Sequence, residues 1–453
     1  MSSRNRLRIA INVRVSPSEG GIFQSTLGLV HALGKLNDGP EQYTLLVGSF
    51  EQGESLKPFC GPNQNIVVYQ SHIGANGATK STAKHLTVAG ALKFAFGPLL
   101  PAARYVQHLL SIPRQWPEVP VSNGFIESLG CNVLHFPTQG FILCALPTVY
   151  NPHDLQHLQY PQFFTPQELT LRETIYRVAC QFSQTVAVGT RWIKDDVVSH
   201  YGIDPKKVQV IPWASPMRFY KPTSEEHVTA VARKYQLESP FILYPAVTWP
   251  HKNHLGLLDA LAHLRDARGL VIRLVCTGSP YPSYWPRIEA RIGELDLASQ
   301  VKFLGFLSEE DLRSLYRLAQ FLVLPTFYEA DSCPIHEAWS EGLPVASSNV
   351  TALPDQVGDA GLLFDPRDTQ SIADALQRMA TDPELRDDLR QKGYRRMKDF
   401  DWERTAKAYR AVYRRAADGT LTEEDHWLLE WDWLREPEKT FTPQPQKAAG
   451  ATP

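Results

Sequence analysis

The chain repeats one pattern twice, and that repetition is its strongest constraint on fold. Short apolar runs of strand length alternate with amphipathic runs of helical period, first over roughly 200 residues and then again after a break. In the first half the strand patterns are LRIAINV, YTLLVG, NIVVYQ, CNVLHFP, PTVYN, QTVAVG and VQVIP. Helical patterns such as FQSTLGLVHALGKL and PQELTLRETIYRVACQFS lie between them. In the second half FILYPAV, VIRLVCTG, VKFLGF, FLVLPT and PVASS alternate with helices from His254 and around ARIGEL. Strand–helix alternation of this kind implies a parallel sheet covered by helices on both faces. At 453 residues the chain is too long for one ordinary core. The proline-rich, polar stretch PWASPMRFYKPTSEE marks the expected boundary between two Rossmann-like domains, residues 1–215 and 216–398.

Composition removes several function classes. Hydrophobic residues are 43% and charged residues 21%, the balance of a globular protein. A net charge of −2 gives no electrostatic footprint for sequence-independent binding of nucleic acid. The cysteines (Cys60, Cys131, Cys144, Cys180, Cys276, Cys333) have no C-x-x-C pair and no metal-ligand spacing with histidine, so they read as reduced core residues of a cytoplasmic protein. The start MSSRNRLRIAINV enters a strand pattern directly, with no export signal. Leu86–Leu110 is interrupted by Lys93, Gly97, Pro98, Pro101 and Arg104, which rules out an unbroken membrane span there. The wider segment 84–116 mixes cations, aromatics and aliphatics, and reads either as a core-packing helix and loop or as a peripheral contact with the inner membrane face.

Chemistry concentrates between Leu322 and Asn349. A buried-strand pattern runs into a turn carrying Glu329, then a short helix carrying Glu337, then Gly342 and a second strand. With Pro334 at the first helical position, the amides of Ser332, Cys333, Ile335 and His336 would face the carboxyl end of the preceding strand. Anions favour such a place, and ligands of open α/β sheets bind in that crevice. Carboxylates accept hydrogen bonds from paired hydroxyls, which suits Glu329 to a sugar and Glu337 to a ribose diol. A turn carboxylate beside a helix and a solvated helix residue explain each glutamate taken alone. Lys252 in TWPHKNH follows a strand at a helix start, where its ammonium and the helix amides can converge on a diphosphate. His153 in PTVYNPHDLQHLQYP also follows a strand, and a histidine can donate or accept near neutral pH. Gly20 and Gly21 mark a turn after the first strand.

These motifs resemble the donor-site signature of the retaining glycosyltransferases of family 4, which have the GT-B fold of two facing Rossmann-like domains. The likeness runs through VKFLGFLSEEDLRSLYRLAQFLVLPTFYE and LPDQVGDAGLLFDPRD and covers most of residues 5–415. The resemblance implies that DFDWERTAKAYRAVYRRA, within residues 399–418, is a helix crossing back onto the N-terminal domain; by composition, 419–453 reads as an extension that is disordered from 438 onward. The Trp427, Trp431 and Trp433 cluster in that extension reads as docking on the body. By resemblance, His153, Lys252 and Glu329 are catalytic. Gly21, Asn253, Ser332, Cys333, Pro334, Ile335 and Glu337 bind the donor. No metal or cofactor is required; the co-substrate is a nucleoside diphosphate sugar, GDP-mannose or a UDP-sugar. The acceptor is a saccharide or a lipid-linked saccharide. One departure stands out: where the family often has Gly-Phe-Gly after the first Glu, this chain has Ala330, Asp331 and Ser332. A sugar-nucleotide epimerase of the same fold, or a binding or scaffold protein with a decayed site, remains the alternative.

Overall fold

A computed structural model describes residues 6–15, 21–69, 119–215 and 222–430. Segment 84–116, Gly20, Trp431, Trp433 and residues 438–453 lie outside the described residues.

Two parallel sheets carry the chain. The first joins β1 (Arg8–Asn12), β2 (Gln42–Val47), β3 (Gln64–Val68), β4 (Val133–Phe136), β5 (Thr148–Tyr150), β6 (Thr185–Val188) and β7 (Val208–Val210) in the order β3-β2-β1-β4-β5-β6-β7. The second joins β8 (Phe241–Pro245), β9 (Arg273–Thr277), β10 (Val301–Phe303), β11 (Leu322–Leu324), β12 (Val345–Ser348) and β13 (Leu362–Phe364) in the order β10-β9-β8-β11-β12-β13. Central strands such as β4, β6, β11 and β12 are buried at every position. Helices cover both faces of such a sheet, so these strands read as continuous apolar runs. The edge strand β10 is only half-buried throughout, as its single neighbour β9 leads one to expect.

In both sheets the strand order reverses once, between β1 and β4 and between β8 and β11. The crevice outside the strand carboxyl ends at such a reversal is where doubly wound folds bind ligands. Six helices matter below: α1 (Gly21–Lys35), α2 (Arg191–Tyr201), α3 (His254–Arg268), α4 (Cys333–Ser340), α5 (Trp402–Ala416) and α6 (Glu423–Glu430).

Helix α5 returns to the first domain. Its buried residues Thr405, Tyr409, Val412, Tyr413 and Ala416 recur at helical spacing and form one apolar stripe. At its start the Trp402 indole N–H donates to the Ser215 carbonyl at 2.9 Å, and the Thr405 hydroxyl donates to the Pro212 carbonyl at 2.8 Å. Gly28 of α1 makes room for that indole, because a Cβ there would lie 2.1 Å from Trp402 Cζ2. Further along, Arg410 pairs with Asp38, and Arg414 bridges Glu41 (2.7 Å) and Asp425 of α6 (2.8 Å). A buried relay continues inward: the Tyr413 hydroxyl bonds His135 Nδ1 at 2.8 Å, His135 Nε2 bonds Asn151 Oδ1 at 2.7 Å, and Asn151 Nδ2 donates to Tyr409 at 2.7 Å. Burial holds the His135 imidazole down at about 3, so it is neutral and its two nitrogens have opposite roles. Helix α6 docks on α5 and Trp427 packs against the main core. Among the described residues no helix is long and apolar enough to cross a membrane.

Candidate active site

The two reversal points face each other across an interdomain cavity of about 260 Å³. From the N-terminal domain its wall includes Gly21 and Ser25 of α1, His153, Asp154, Gln156 and Gly189; from the C-terminal domain it includes Lys252, Glu329, Asp331 and Cys333. Topology explains why distant residues meet. Lys252 follows β8 and Glu329 follows β11, the neighbouring strands of one reversal, while His153 follows β5 and Gly21 opens the helix after β1.

Lys252 Nζ and Glu329 Oε1 are 2.5 Å apart, with side chains 20% and 11% exposed. Each backbone is held separately. Tyr244 on β8 donates to the Lys252 carbonyl at 2.5 Å. The Thr351 hydroxyl donates to the Glu329 carbonyl at 2.6 Å and accepts from the Glu329 amide at 3.1 Å. Asn253 adopts the left-handed conformation (φ 56°) that ends the turn bearing Lys252. Its side chain is fully committed: Nδ2 donates to the Pro325 and Pro366 carbonyls, both at 2.9 Å, and Oδ1 caps α3 through the Gly256 amide at 3.2 Å. Asn253 is 5% exposed and places Lys252 instead of lining the cavity.

Helix α4 begins at Cys333, with Pro334 second. Its amide end is narrower than the sequence suggests. The Ser332 amide donates to Gln356 Oε1 at 3.0 Å, Gln356 Nε2 donates back to the Ser332 carbonyl at 3.0 Å, and the Ile335 amide turns to the Ser332 carbonyl at 3.2 Å. Pro334 has no hydrogen to give. Gln356 also meets His336 Nε2 at 3.0 Å, and burial holds that imidazole at about 3, neutral. Cys333 faces the cavity, and burial raises its thiol, so it stands there as a neutral thiol. Ile335 is fully buried behind it. Glu337, one turn on, accepts from the Tyr316 hydroxyl at 2.6 Å; burial and the charge of Glu309 push its carboxyl up.

His153 also has a left-handed backbone (φ 63°), an uncommon state for a residue with a side chain. Its Nε2 lies 2.8 Å from the Pro137 carbonyl, which can only accept. That contact assigns the hydrogen to Nε2 and leaves Nδ1 as an acceptor. Burial lowers its pKa, so the ring is a neutral acceptor near pH 7.

Four features escape the sequence pattern. Tyr328 crosses into the first domain, where its hydroxyl accepts from the Leu155 amide at 3.3 Å and its ring meets Tyr160 and Trp192 edge to face at 5.9 and 5.7 Å. The Thr190 hydroxyl, at the start of α2, donates to the Ala330 carbonyl at 3.3 Å, so the turn bearing Glu329 is fastened to both domains. Asp331 sits in the wall opposite Gly189; burial, aided by the charge of Glu329, pushes its carboxyl up to about 7. Gln156 is 9% exposed, lines the cavity and has no partner for Nε2 among the described residues. Among the described residues the wall thus carries one lasting cation, Lys252, against the carboxyls of Asp154, Glu329 and Asp331. An uncharged ligand rich in hydroxyls fits such a wall, with one anionic group placed at the lysine.

Residues 231–396 match the glycosyl transferases, group 1. The group 1 match contains Lys252 and the whole segment from Glu329 to Glu337, but not His153 or Gly21. Among curated relatives, the chain is 28% identical over 270 residues to the O-antigen chain mannosyltransferase B of Escherichia coli, covering 57% of this chain and 69% of that one. It is 26% identical over 283 residues to the D-inositol 3-phosphate glycosyltransferase of Corynebacterium efficiens, covering 60% and 67%. The fold is GT-B. It superposes on Anabaena HepE, solved with UDP and glucose, with a TM-score of 0.62 at 18% identity over 90% of this chain and 100% of that one. It also superposes on WaaG, a glycosyltransferase involved in lipopolysaccharide biosynthesis, with a TM-score of 0.56 at 16% identity over 90% and 98%.

Proposed function

We propose that this chain is a retaining, metal-independent glycosyltransferase that moves a hexose, with mannose the first candidate, from a nucleoside diphosphate sugar to a saccharide or lipid-linked saccharide acceptor. The observation that carries the reading is the meeting of Lys252 and Glu329 at the β8/β11 reversal, 2.5 Å apart in a cleft between two domains. The group 1 match supports the reaction class, and the mannosyltransferase among the relatives supports the sugar.

In this mechanism the diphosphate lies against Lys252, whose ammonium has hydrogens for both Glu329 and a phosphate oxygen. As the glycosidic C–O bond lengthens, negative charge grows on the leaving oxygen and positive charge on the sugar ring. Lys252 stabilises the first from a cleft that excludes most water. Glu329 holds sugar hydroxyls and offsets the charge on the ring. His153 accepts a hydrogen bond from a hydroxyl through Nδ1. In this reading Glu337, which lies behind the cavity wall, anchors the ribose diol, and its carboxyl accepts from Tyr316. The acceptor attacks from the face the diphosphate leaves, which retains configuration. The reaction belongs in the cytoplasm, beside the donor supply.

The test is a product assay with GDP, UDP and ADP sugars that separates hydrolysis, epimerisation and transfer. Transfer with retained configuration supports the proposal. An epimerised nucleotide sugar, or donor binding without turnover on any acceptor, overturns it.

A further inference from the structure

One part of the cavity wall has no role in the mechanism above. Gln156 opens a short helix just after His153, and its backbone amide is tied to Asp154 Oδ1 at 3.1 Å. Gln156 is about nine-tenths buried and lines the cavity, yet its enclosed Nε2 has no acceptor among the described residues. A buried amide nitrogen without a partner costs about 1–3 kcal/mol, so such a group usually marks a place a ligand or water completes. From the other domain Asp331 lines the same cavity. Gly189 opposite has no side chain; a Cβ there would stand 3.5 Å from Asp331 Oδ2, in ordinary contact, so the carboxyl lies directly against this part of the first domain.

The two groups are chemically complementary to a hydroxyl pair. Gln156 Nε2 donates only, whereas the Asp331 carboxyl accepts when ionised and both donates and accepts when protonated. Glu329 and the Cys333 thiol on α4 interact with Asp331, and the same cavity is lined by Lys252 and His251 from its own domain and by Asp154 and His153 from the other. Neighbouring carboxylates make a second full charge unfavourable, and this is why a polar hydroxyl suits the place better than a phosphate.

We propose that Gln156 and Asp331 form a saccharide-recognition pair, one residue from each domain, which reads hydroxyls of the transferred sugar or of the acceptor and sets which saccharide is accepted. The inference rests on the glycosyltransferase reading, and it adds specificity to a site whose reaction is carried by other residues. Both residues contact saccharide hydroxyls and neither contacts the nucleoside diphosphate.

The test uses the full chain and its Q156A, D331A and D331N variants. Binding of free GDP or UDP is measured by calorimetry, and kcat/KM by diphosphate release against several donor sugars and against varied acceptor. Expected results are nucleoside diphosphate Kd values within about twofold of wild type in every variant, with kcat/KM reduced about 10- to 100-fold in Q156A and D331A, the loss expected of a buried polar group left unpaired. A changed ranking of donor sugars assigns the pair to the transferred sugar; a raised acceptor KM with unchanged donor hydrolysis assigns it to the acceptor. The saccharide KM of wild type also steps near neutral pH, and D331N removes the step. Rates, sugar ranking and pH profile within about twofold of wild type in both Q156A and D331A overturn the proposal. Failure of wild type to bind any nucleoside diphosphate overturns the glycosyltransferase reading instead.

Discussion

Replacing Lys252 by alanine removes the one lasting cation that the described residues bring to the cavity wall, and its cost can be worked from the site. A phosphate oxygen about 4 Å from the ammonium interacts with it by about 4 kcal/mol per unit charge at the effective dielectric of a partly buried site. The leaving oxygen gains only part of a unit charge in the transition state, and removal of a single stabilising donor from such a site costs about 2.7–4 kcal/mol. The expected result is a fall in kcat of about 10²- to 10³-fold with a smaller rise in donor KM. Glu337→Ala should do the reverse, raising donor KM about tenfold and lowering kcat less, because a ribose contact is equal in ground and transition states. The assay is diphosphate release under saturating donor, with the folded fraction of each variant checked by circular dichroism. Equal, small effects of both substitutions on kcat and KM would refute this division of roles.

Gly28→Ala places a Cβ 2.1 Å from Trp402 Cζ2. Alanine ordinarily gains about 1 kcal/mol in a helix, so a net loss of about 1–3 kcal/mol in denaturant unfolding would show that α1 and α5 are in tight contact. Tyr413→Phe strands His135 Nδ1 and should cost about 1–3 kcal/mol, seen as a lower Tm. Asp331→Asn tests the buried carboxyl. Its folded pKa of about 7 lies above the ordinary 3.8, so between these values the folded state holds a proton the unfolded chain has lost. Stability is therefore full below the lower value, falls as pH rises towards the upper one, and stays reduced beyond it. The variant's Tm should rise relative to wild type from about pH 4 to about pH 7 and keep that gain above, and a constant difference would contradict the carboxyl's assignment.

Strand existence was legible because both sheets are parallel and their central strands are buried, so strands such as TVAV or LVL appear as mainly apolar runs. The meeting of Lys252, Glu329, His153 and Gly21 was legible through motif position, since strand carboxyl ends at a reversal must converge. What stayed hidden depends on contacts between distant segments. Nothing in the local letters says that Gln356 takes the Ser332 amide, or that Asn253 spends its side chain on three backbone groups. The absence of the family's usual glycines after Glu329 was visible, yet only the fold places Asp331 opposite Gly189 across the cleft. Gln156 sits within the quoted HDLQHLQ run, but its missing partner is a property of burial, which spacing does not encode.

The most direct measurement is a thermal-shift and calorimetric comparison of GDP, UDP and ADP sugars with the wild-type chain and its Lys252→Ala variant, followed by NMR of the transfer product. A donor bound only by the folded state raises Tm. The account predicts that one nucleotide sugar stabilises wild type, stabilises the variant less, and yields a glycoside with the donor's anomeric configuration. Absence of a shift with every sugar nucleotide, or a product of inverted configuration, would contradict it.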